Sequence, residues 1–220
     1  MVPTSKSGVR QQRAIRTRSQ IIDTAARAFA DSGFDGVSLN DVISSTGMSK
    51  GAFYFHFSSK EELALATFRV KQQELIARLL EDSKPAASAG DELRQALRRR
   101  ARLIADDPTM HCVVRLGADL SVRSGPGSEY ASFQELGVRS IAEVIERGVH
   151  SGEFAQLDPN ASARAIFAWI VGMDSLSLLD SGCKDLTERT EEVLALLIPA
   201  LRTRLPTGPA SRPQPSARQN

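Results

Sequence analysis

Apolar positions recur along this chain with the spacing of helices, and polar or glycine-containing breaks divide them into segments. Ile22, Ala25, Ala26 and Phe29 fall at i, i+3, i+4 and i+7, one face of a helix expected from about Arg13 to Ser32. Gly33 stops it, and Phe34 returns to the core. Ser38, with Asp41 three residues on, is a capping-box-like start for a short helix whose apolar side is Leu39, Val42 and Ile43. Gly47 stands where a helix-ending residue with positive φ is wanted. Ser49 then caps a second short helix, Lys50 to Phe57. A long helix opens at Ser59, with Glu62 completing its capping box. Leu63, Ala66, Phe68, Val70, Leu75, Leu79 and Leu80 carry it to about Asp82, far enough to join two domains rigidly.

After a linker at 83–90 the helical pattern resumes. Asp91 starts a helix to about Ala105 with Leu93, Leu97 and Ile104 inward, and its Arg98-Arg99-Arg100 run reads as a solvated face. Asp107-Pro108 opens the next, proline being favoured at the first helical position, and that helix carries Met110, Val113, Val114 and Leu116. Ser124-Gly125-Pro126-Gly127 is a break. Helices are expected from Ser128 to His150, from Asp158-Pro159 to Asp180, and from Asp185 or Thr187 to Arg204. Pro206, Pro209, Pro213 and Pro215 then make a tail that cannot be helical. The last two helices are unusually apolar: Ala165, Phe167, Ala168, Ile170, Val171, Met173, Leu176 and Leu178 spread around one, and Val193, Leu194, Leu197 and Leu201 line the other. A helix apolar on more than one side must be buried on more than one side. A second copy of the pair satisfies this as a two-fold four-helix bundle; a fully buried pair inside one monomer is the other solution.

Two short helices joined by a tight glycine-containing turn form a helix-turn-helix, whose second helix fits the major groove of DNA. Ser49, Lys50, Gly51 and Ala52 are small or basic, so this helix can approach closely, with Lys50 reaching phosphate or a guanine edge and Ala52 a thymine methyl. Tyr54 and His56 add donors for phosphate oxygens. Phe53, Phe55 and Phe57 cannot all face DNA, so at least two should fill the core of the module. Ser38, Arg18 near the end of the leading basic run, and Lys60 in the first turn of the long helix complete the candidate contacts, although an exposed lysine has no need of a partner. An amphipathic helical hairpin with aromatics in its core would show the same spacing.

Composition is that of an ordinary globular protein, 41% hydrophobic and 25% charged in 220 residues. With a net charge of only +2, affinity for nucleic acid must come from local clustering. Lys6, Arg10, Arg13, Arg16 and Arg18 precede the first acidic residue, Asp23, and read either as a solvated tail or as an arm lying along DNA. Cys112 and Cys183 fit no metal or disulfide spacing, and His56, His111 and His150 are scattered. No G-x-S-x-G, H-E-x-x-H or P-loop pattern occurs, so neither an enzyme nor a cofactor is suggested. No uninterrupted apolar stretch of spanning length and no apolar signal core is visible, which points to a cytoplasmic protein without a membrane partner.

The run TGMSKGAFYFHFSSKEELA, and TRSQIIDTAARAFADSGFDGVSLNDV before it, resembles the TetR family of bacterial repressors over about the first third of the chain. The resemblance implies an all-α fold: an N-terminal three-helix helix-turn-helix DNA-binding domain (13–58) behind a disordered basic arm (1–12), a C-terminal helical ligand-binding and dimerisation domain (59–204), and a disordered proline-rich tail (205–220). It implies a homodimer on a pseudo-palindromic double-stranded operator, released by a small-molecule inducer. Within that family the chain is most similar to the γ-butyrolactone autoregulator receptors of streptomycetes. Arg13-Ala14-Ile15-Arg16-Thr17-Arg18, FYFHFSSKEELALA, Asp107-Pro108, Val114-Arg115-Leu116, Leu120-Ser121 and Leu197-Ile198-Pro199-Ala200 carry the similarity.

Met110, Val114, Tyr130, Phe133, Trp169 and Met173 are candidates to line an apolar cavity, although each also suits a plain core. Phe133 stands where those receptors commonly carry a tryptophan, which keeps a hydrophobic wall but loses an indole N–H. Lys71, where a glutamine is expected, could attract a carboxylate or a hydroxyfuranoate. The resemblance implies a γ-butyrolactone, butenolide or furan-type inducer, and these two departures point to a butenolide, a furan acid or an antibiotic intermediate instead of a classical γ-butyrolactone. A regulator of drug efflux or catabolism with a different ligand is the nearer alternative, and a helical small-molecule carrier or enzyme the remote one.

Overall fold

In the computed structural model, residues 6–81, 85–123 and 128–203 are described, and every regular element among them is a helix. Met1–Ser5, 82–84 of the linker, the 124–127 break and the 204–220 tail lie outside the described residues. The elements are α1 (Lys6–Ser32), α2 (Leu39–Thr46), α3 (Lys50–Tyr54), α4 (Lys60–Glu81), α5 (Ala89–Asp106), α6 (His111–Arg123), α7 (Glu129–His150), α8 (Pro159–Ser181) and α9 (Leu186–Arg202).

Caps set most of the starts. Ser38, Ser49 and Ser128 each accept the amide three residues on, and Asp158 accepts those of Asn160 and Ala161. Gly47 and Gly182 close α2 and α8 with φ of 68° and 65°. At α4, Ser59 Oγ accepts the Glu62 amide (3.1 Å), while the Glu62 carboxylate reaches past Ser59 to the Ser58 amide (2.8 Å). Hydrogen bonds from the Ser58 hydroxyl and amide hold the Glu62 pKa below the usual glutamate value.

Three boundaries differ from expectation. α1 begins at Lys6, so residues 6–12 are helical and not a disordered arm. No proline follows Pro3 here, and Arg10, Gln11 and Gln12 are good helix formers that outweigh the exposed Gly8. α3 ends at Tyr54, and His56 and Phe57 continue as a turn in which both amides donate to the Phe53 carbonyl (2.8 and 3.1 Å). α5 is capped by Ser88, two residues ahead of the helix's second, rather than by Asp91, and Asp107-Pro108 opens a 3-10 turn, Pro108–Met110, before α6.

One apolar core runs from Ile21, Phe29, Phe53 and Phe57 through Leu63, Phe68 and Leu75 to Ile104, Met110 and Leu116, so α1–α3 and the second domain share it. A second core of Leu93, Leu97, Ile145, Phe154, Ile166, Leu194 and Ile198 ties α5, α7, α8 and α9 together, with Trp169 packed against both. What the chain leaves uncovered is a stripe on α8, where Ala165, Ala168, Gly172, Leu176 (55% exposed) and Leu179 (79% exposed) recur at steps of three and four; Leu196 of α9 is exposed as well (72%). α8 is long and apolar enough to cross a bilayer by length and composition, at 23 residues and mean hydropathy 1.3, yet Asp174 sits in its middle, ion-paired to Arg100.

Candidate DNA-reading surface and ligand cavity

α3 is organised by one inward side chain. Phe53 is fully buried and Phe57 nearly so, while Lys50, Gly51, Ala52 and Tyr54 stand exposed and His56 is half-buried. Phe55, the third aromatic, is 79% exposed, its ring edge-to-face with His56. Ser49 Oγ accepts the Ala52 amide (3.3 Å) and so fixes where the helix begins. A Cβ built on Gly51 would meet nothing within 4 Å. Nothing inside the protein requires glycine there, although glycine costs a helix roughly 1 kcal/mol relative to alanine. Gly51→Ala is therefore expected to raise the melting temperature while weakening DNA binding; calorimetry beside a gel-shift titration checks the two signs together.

Other expected contacts are committed inside the protein. The Ser38 hydroxyl donates to Asp41 (2.6 Å) and accepts its amide (3.2 Å), serving as the α2 cap. The Arg18 guanidinium lies 4.5 Å from the centre of the Phe57 ring. Lys60 is not a free phosphate contact: its ammonium donates to the Val37 carbonyl (3.0 Å) and sits 4.3 Å from the centre of the Phe34 ring. The Ser38 cap was legible from its spacing to Asp41, but the partners of Arg18 and Lys60 lie in different elements, where spacing carries no signal.

Phe34 is also the point where the second domain grips the first. Its amide donates to the Asp119 carboxylate (2.9 Å), and its ring lies 4.6 Å from the Arg123 guanidinium. Arg123 also pairs with Asp35 (2.6 Å). Both Asp119 and Arg123 belong to the C-terminal end of α6.

Toward its N-terminus and middle, through Val113, Val114, Gly117 and Ala118, α6 borders a partly open cavity of about 720 Å³ lined by α4, α5, α6, α7 and α8. Of the expected lining, Val114, Tyr130 and Phe133 are there. The aromatic wall is built on Phe68, whose ring centre is 5.4 Å from that of Tyr130 and 5.7 Å from that of Phe133. The Tyr130 hydroxyl accepts from Gln134 (3.2 Å), and burial pushes its pKa up.

Lys71, Met110, Trp169 and Met173 do not line this cavity. Lys71 shares a face with Leu63 and Thr67, toward α1, where its ammonium is held between Asp23 (3.0 Å) and Glu74 (2.9 Å). Burial would lower its pKa, but those two carboxylates more than offset it and hold the lysine above its usual value. Gln72 and Gln73, one and two positions on, turn to the cavity instead. Met110 is fully buried in the core shared by both domains. Trp169 fills the seam between the cores, and Met173 turns to α9, its sulfur 3.8 Å from the Thr190 hydroxyl, which donates to the Leu186 carbonyl (2.7 Å).

The cavity's charged groups were missed. Arg100 donates to both oxygens of Asp174 (2.9 and 2.5 Å), and Asp174 is only 3% exposed. Arg98 pairs with Glu191 (2.5 Å) and Arg99 donates to the Leu79 carbonyl (2.7 Å), so the arginine run is not a solvated face but three ties to three elements. The available signal was Asp174 itself, the one acidic residue inside the apolar run from Ala165 to Leu179, because a buried charge implies a partner. A further pair, Arg147 with Glu92 (2.6 Å), spans α7 and α5 at the rim. Burial pushes the Cys112 thiol up to about 12 and the Cys183 thiol up to about 11, which keeps both protonated at neutral pH.

Residues 21–67 match the family described as "Bacterial regulatory proteins, tetR family", and residues 91–194 match "Tetracyclin repressor-like, C-terminal domain". The A-factor receptor protein of Streptomyces griseus is 29% identical over 199 residues, covering 87% of this chain and 66% of that protein, just under two thirds of its length. The fatty acid metabolism regulator protein of Bacillus subtilis is 24% identical over 189 residues, covering 84% of this chain and 95% of the relative. A solved structure described as the "molecular basis for control of antibiotic production by a bacterial hormones" is 31% identical with a TM-score of 0.71, covering 86% of this chain and 99% of that one. A γ-butyrolactone receptor structure, ArpA-like, shares the fold at 22% identity and a TM-score of 0.60, covering 83% and 99%.

Proposed function

Because this chain belongs to the TetR family of bacterial regulatory proteins, we propose that it is a dimeric repressor released from its operator by a small signalling molecule, of the γ-butyrolactone or butenolide type, and that it governs secondary metabolism in the cytoplasm. The single observation that carries this reading is the continuity of α6: it walls the cavity through Val113, Val114, Gly117 and Ala118, and its C-terminal end grips Phe34 and Asp35 ahead of α2. A ligand that moves this wall also moves the turn from which the helix-turn-helix starts. α4, whose Phe68 and Leu75 face the cavity and whose Lys60 clips the same turn, carries the motion in parallel. Two recognition helices in a dimer must meet successive major grooves about 34 Å apart, so a small tilt in each protomer spoils the match. Complete inversion of a 1:99 balance between DNA-competent and released states needs a ligand preference of about 10⁴-fold.

Ligand charge follows from the same inventory. Lys71 is paired with Asp23 and Glu74 away from the cavity, Arg100 and Arg147 are paired with Asp174 and Glu92, and Arg99, also in the lining, donates to the Leu79 carbonyl. A carboxylate in the cavity would have to compete with one of these partners, whereas a neutral lactone can hydrogen-bond to Gln72 or the Tyr130–Gln134 pair and lay an aliphatic chain along Leu75, Leu79 and Leu97. This favours a lactone over a furan acid. A gel shift on DNA upstream of the protein's own gene tests it, with a synthetic alkyl γ-butyrolactone and an alkyl furan carboxylate as probes. Release by the lactone alone is expected; release by the acid alone overturns the ligand assignment, and a shift indifferent to both overturns the signalling role.

A further inference from the structure

We infer that Phe55 reads the C5-methyl group of a thymine in the floor of the major groove, and is a specificity-determining residue of the operator complex. The inference rests on the proposed DNA-binding role. Within α3 the fully buried Phe53 marks the inward direction. At 100° per residue, Gly51 and Phe55 are the two positions most nearly opposite it, one turn apart, and the Phe55 amide donates to the Gly51 carbonyl (3.2 Å). Tyr54 falls to one side, and His56 follows in the turn, its ring edge-to-face with that of Phe55. The outward face of the helix therefore has a phenylalanine along its centre line, with a group able to bond phosphate oxygens on its flank.

Neither central residue is explained by the fold. Phe55 is 79% exposed, its recorded ring contact is with the neighbouring His56, and it contributes nothing to either apolar core. Gly51 has open space where a Cβ would stand. A solvent-facing glycine and a solvent-facing phenylalanine on one line of a reading helix are both accounted for by a close external surface that is apolar opposite the ring. In the major groove the apolar feature is the thymine methyl, and phenylalanine is one of the side chains that meets it. The ring has no hydrogen-bonding atom, so it discriminates by contact with the methyl and by excluding the polar edge of cytosine.

The test is uracil interference on an operator selected by the wild-type protein from a random double-stranded pool. Deoxyuridine replaces thymidine at random, bound and free DNA are separated, and both are cleaved at uracil. Wild type is expected to reject uracil at one thymine or more in each half-site, with about fourfold depletion for a methyl-sized apolar contact. Phe55→Ala is expected to keep its melting temperature, bind more weakly, and lose the depletion at that symmetric pair while keeping it elsewhere. Phe55→Leu, which stays apolar, should retain part of it. An unchanged interference pattern in Phe55→Ala overturns the assignment and transfers the methyl contact to another residue such as Ala52. A wild-type pattern with no uracil effect overturns it as well. If no sequence is enriched from the pool, the DNA-binding reading falls, and this inference with it.

Discussion

Asp174→Ala is expected to destabilise the protein by about 3–5 kcal/mol, the usual result of deleting one partner of a buried ion pair. Asp174 is 3% exposed and receives two hydrogen bonds from Arg100, whose own side chain is 21% exposed. Without the carboxylate the guanidinium is left in a low-dielectric wall with its desolvation uncompensated. For a chain of this length each kcal/mol moves the midpoint by about 2–4 °C, so a fall of about 10 °C is the measurable outcome in thermal denaturation at fixed protein concentration. A control separates the pair from its site: Arg100→Met with Asp174→Leu removes both charges and should recover most of the loss, because apolar replacement of a whole buried pair is often neutral or stabilising. A fall of less than a degree or two in Asp174→Ala would show that the pair contributes nothing.

The second large effect concerns the uncovered stripe. Leu176→Glu together with Leu179→Glu is expected to give a monomer that no longer shifts operator DNA. Both side chains are more than half exposed in the single chain, at 55% and 79%, so the substitution leaves the helical content of the protomer intact. Each leucine taken out of water contributes about 1.5–3 kcal/mol, and a two-fold interface uses every position twice. Four carboxylates facing one another would then remove association at micromolar concentration. Light scattering reads the mass, circular dichroism the fold, and a gel shift the loss of DNA binding, expected to exceed a hundredfold because a single half-site is all a monomer can hold. A double variant that stays dimeric would move the interface away from α8.

The two expectations draw on different kinds of information. Leu176 was legible from the sequence, since a helix apolar all round announces that something covers its outer side; Leu179 was not, because the same pattern marks its neighbour Leu178, which packs against the core instead. Asp174 was not, because its meaning depends on Arg100, which lies in another helix. Lys71 makes the same point in reverse: the position is polar and correctly placed on the long helix, but it lies one residue before the side that Gln72 presents to the cavity.

What the sequence by itself determined is everything set by interactions within about one helical turn. Ser38, Ser49, Ser128 and Asp158 mark helix starts because a cap bonds an amide two or three residues away, and Gly47 and Gly182 mark ends because glycine adopts positive φ at little cost. The helix-turn-helix was legible for that reason, as was the burial of at least two of its three phenylalanines, although which two, Phe53 and Phe57, came only from the structure. Only the tertiary structure decided how each helix is rotated about its axis, and with it whether Lys60, Lys71, Arg100, Met110 and Met173 meet DNA, ligand, another charge or the core. Periodicity fixes which residues share a face, but the direction that face takes is chosen by packing against partners distant in the chain.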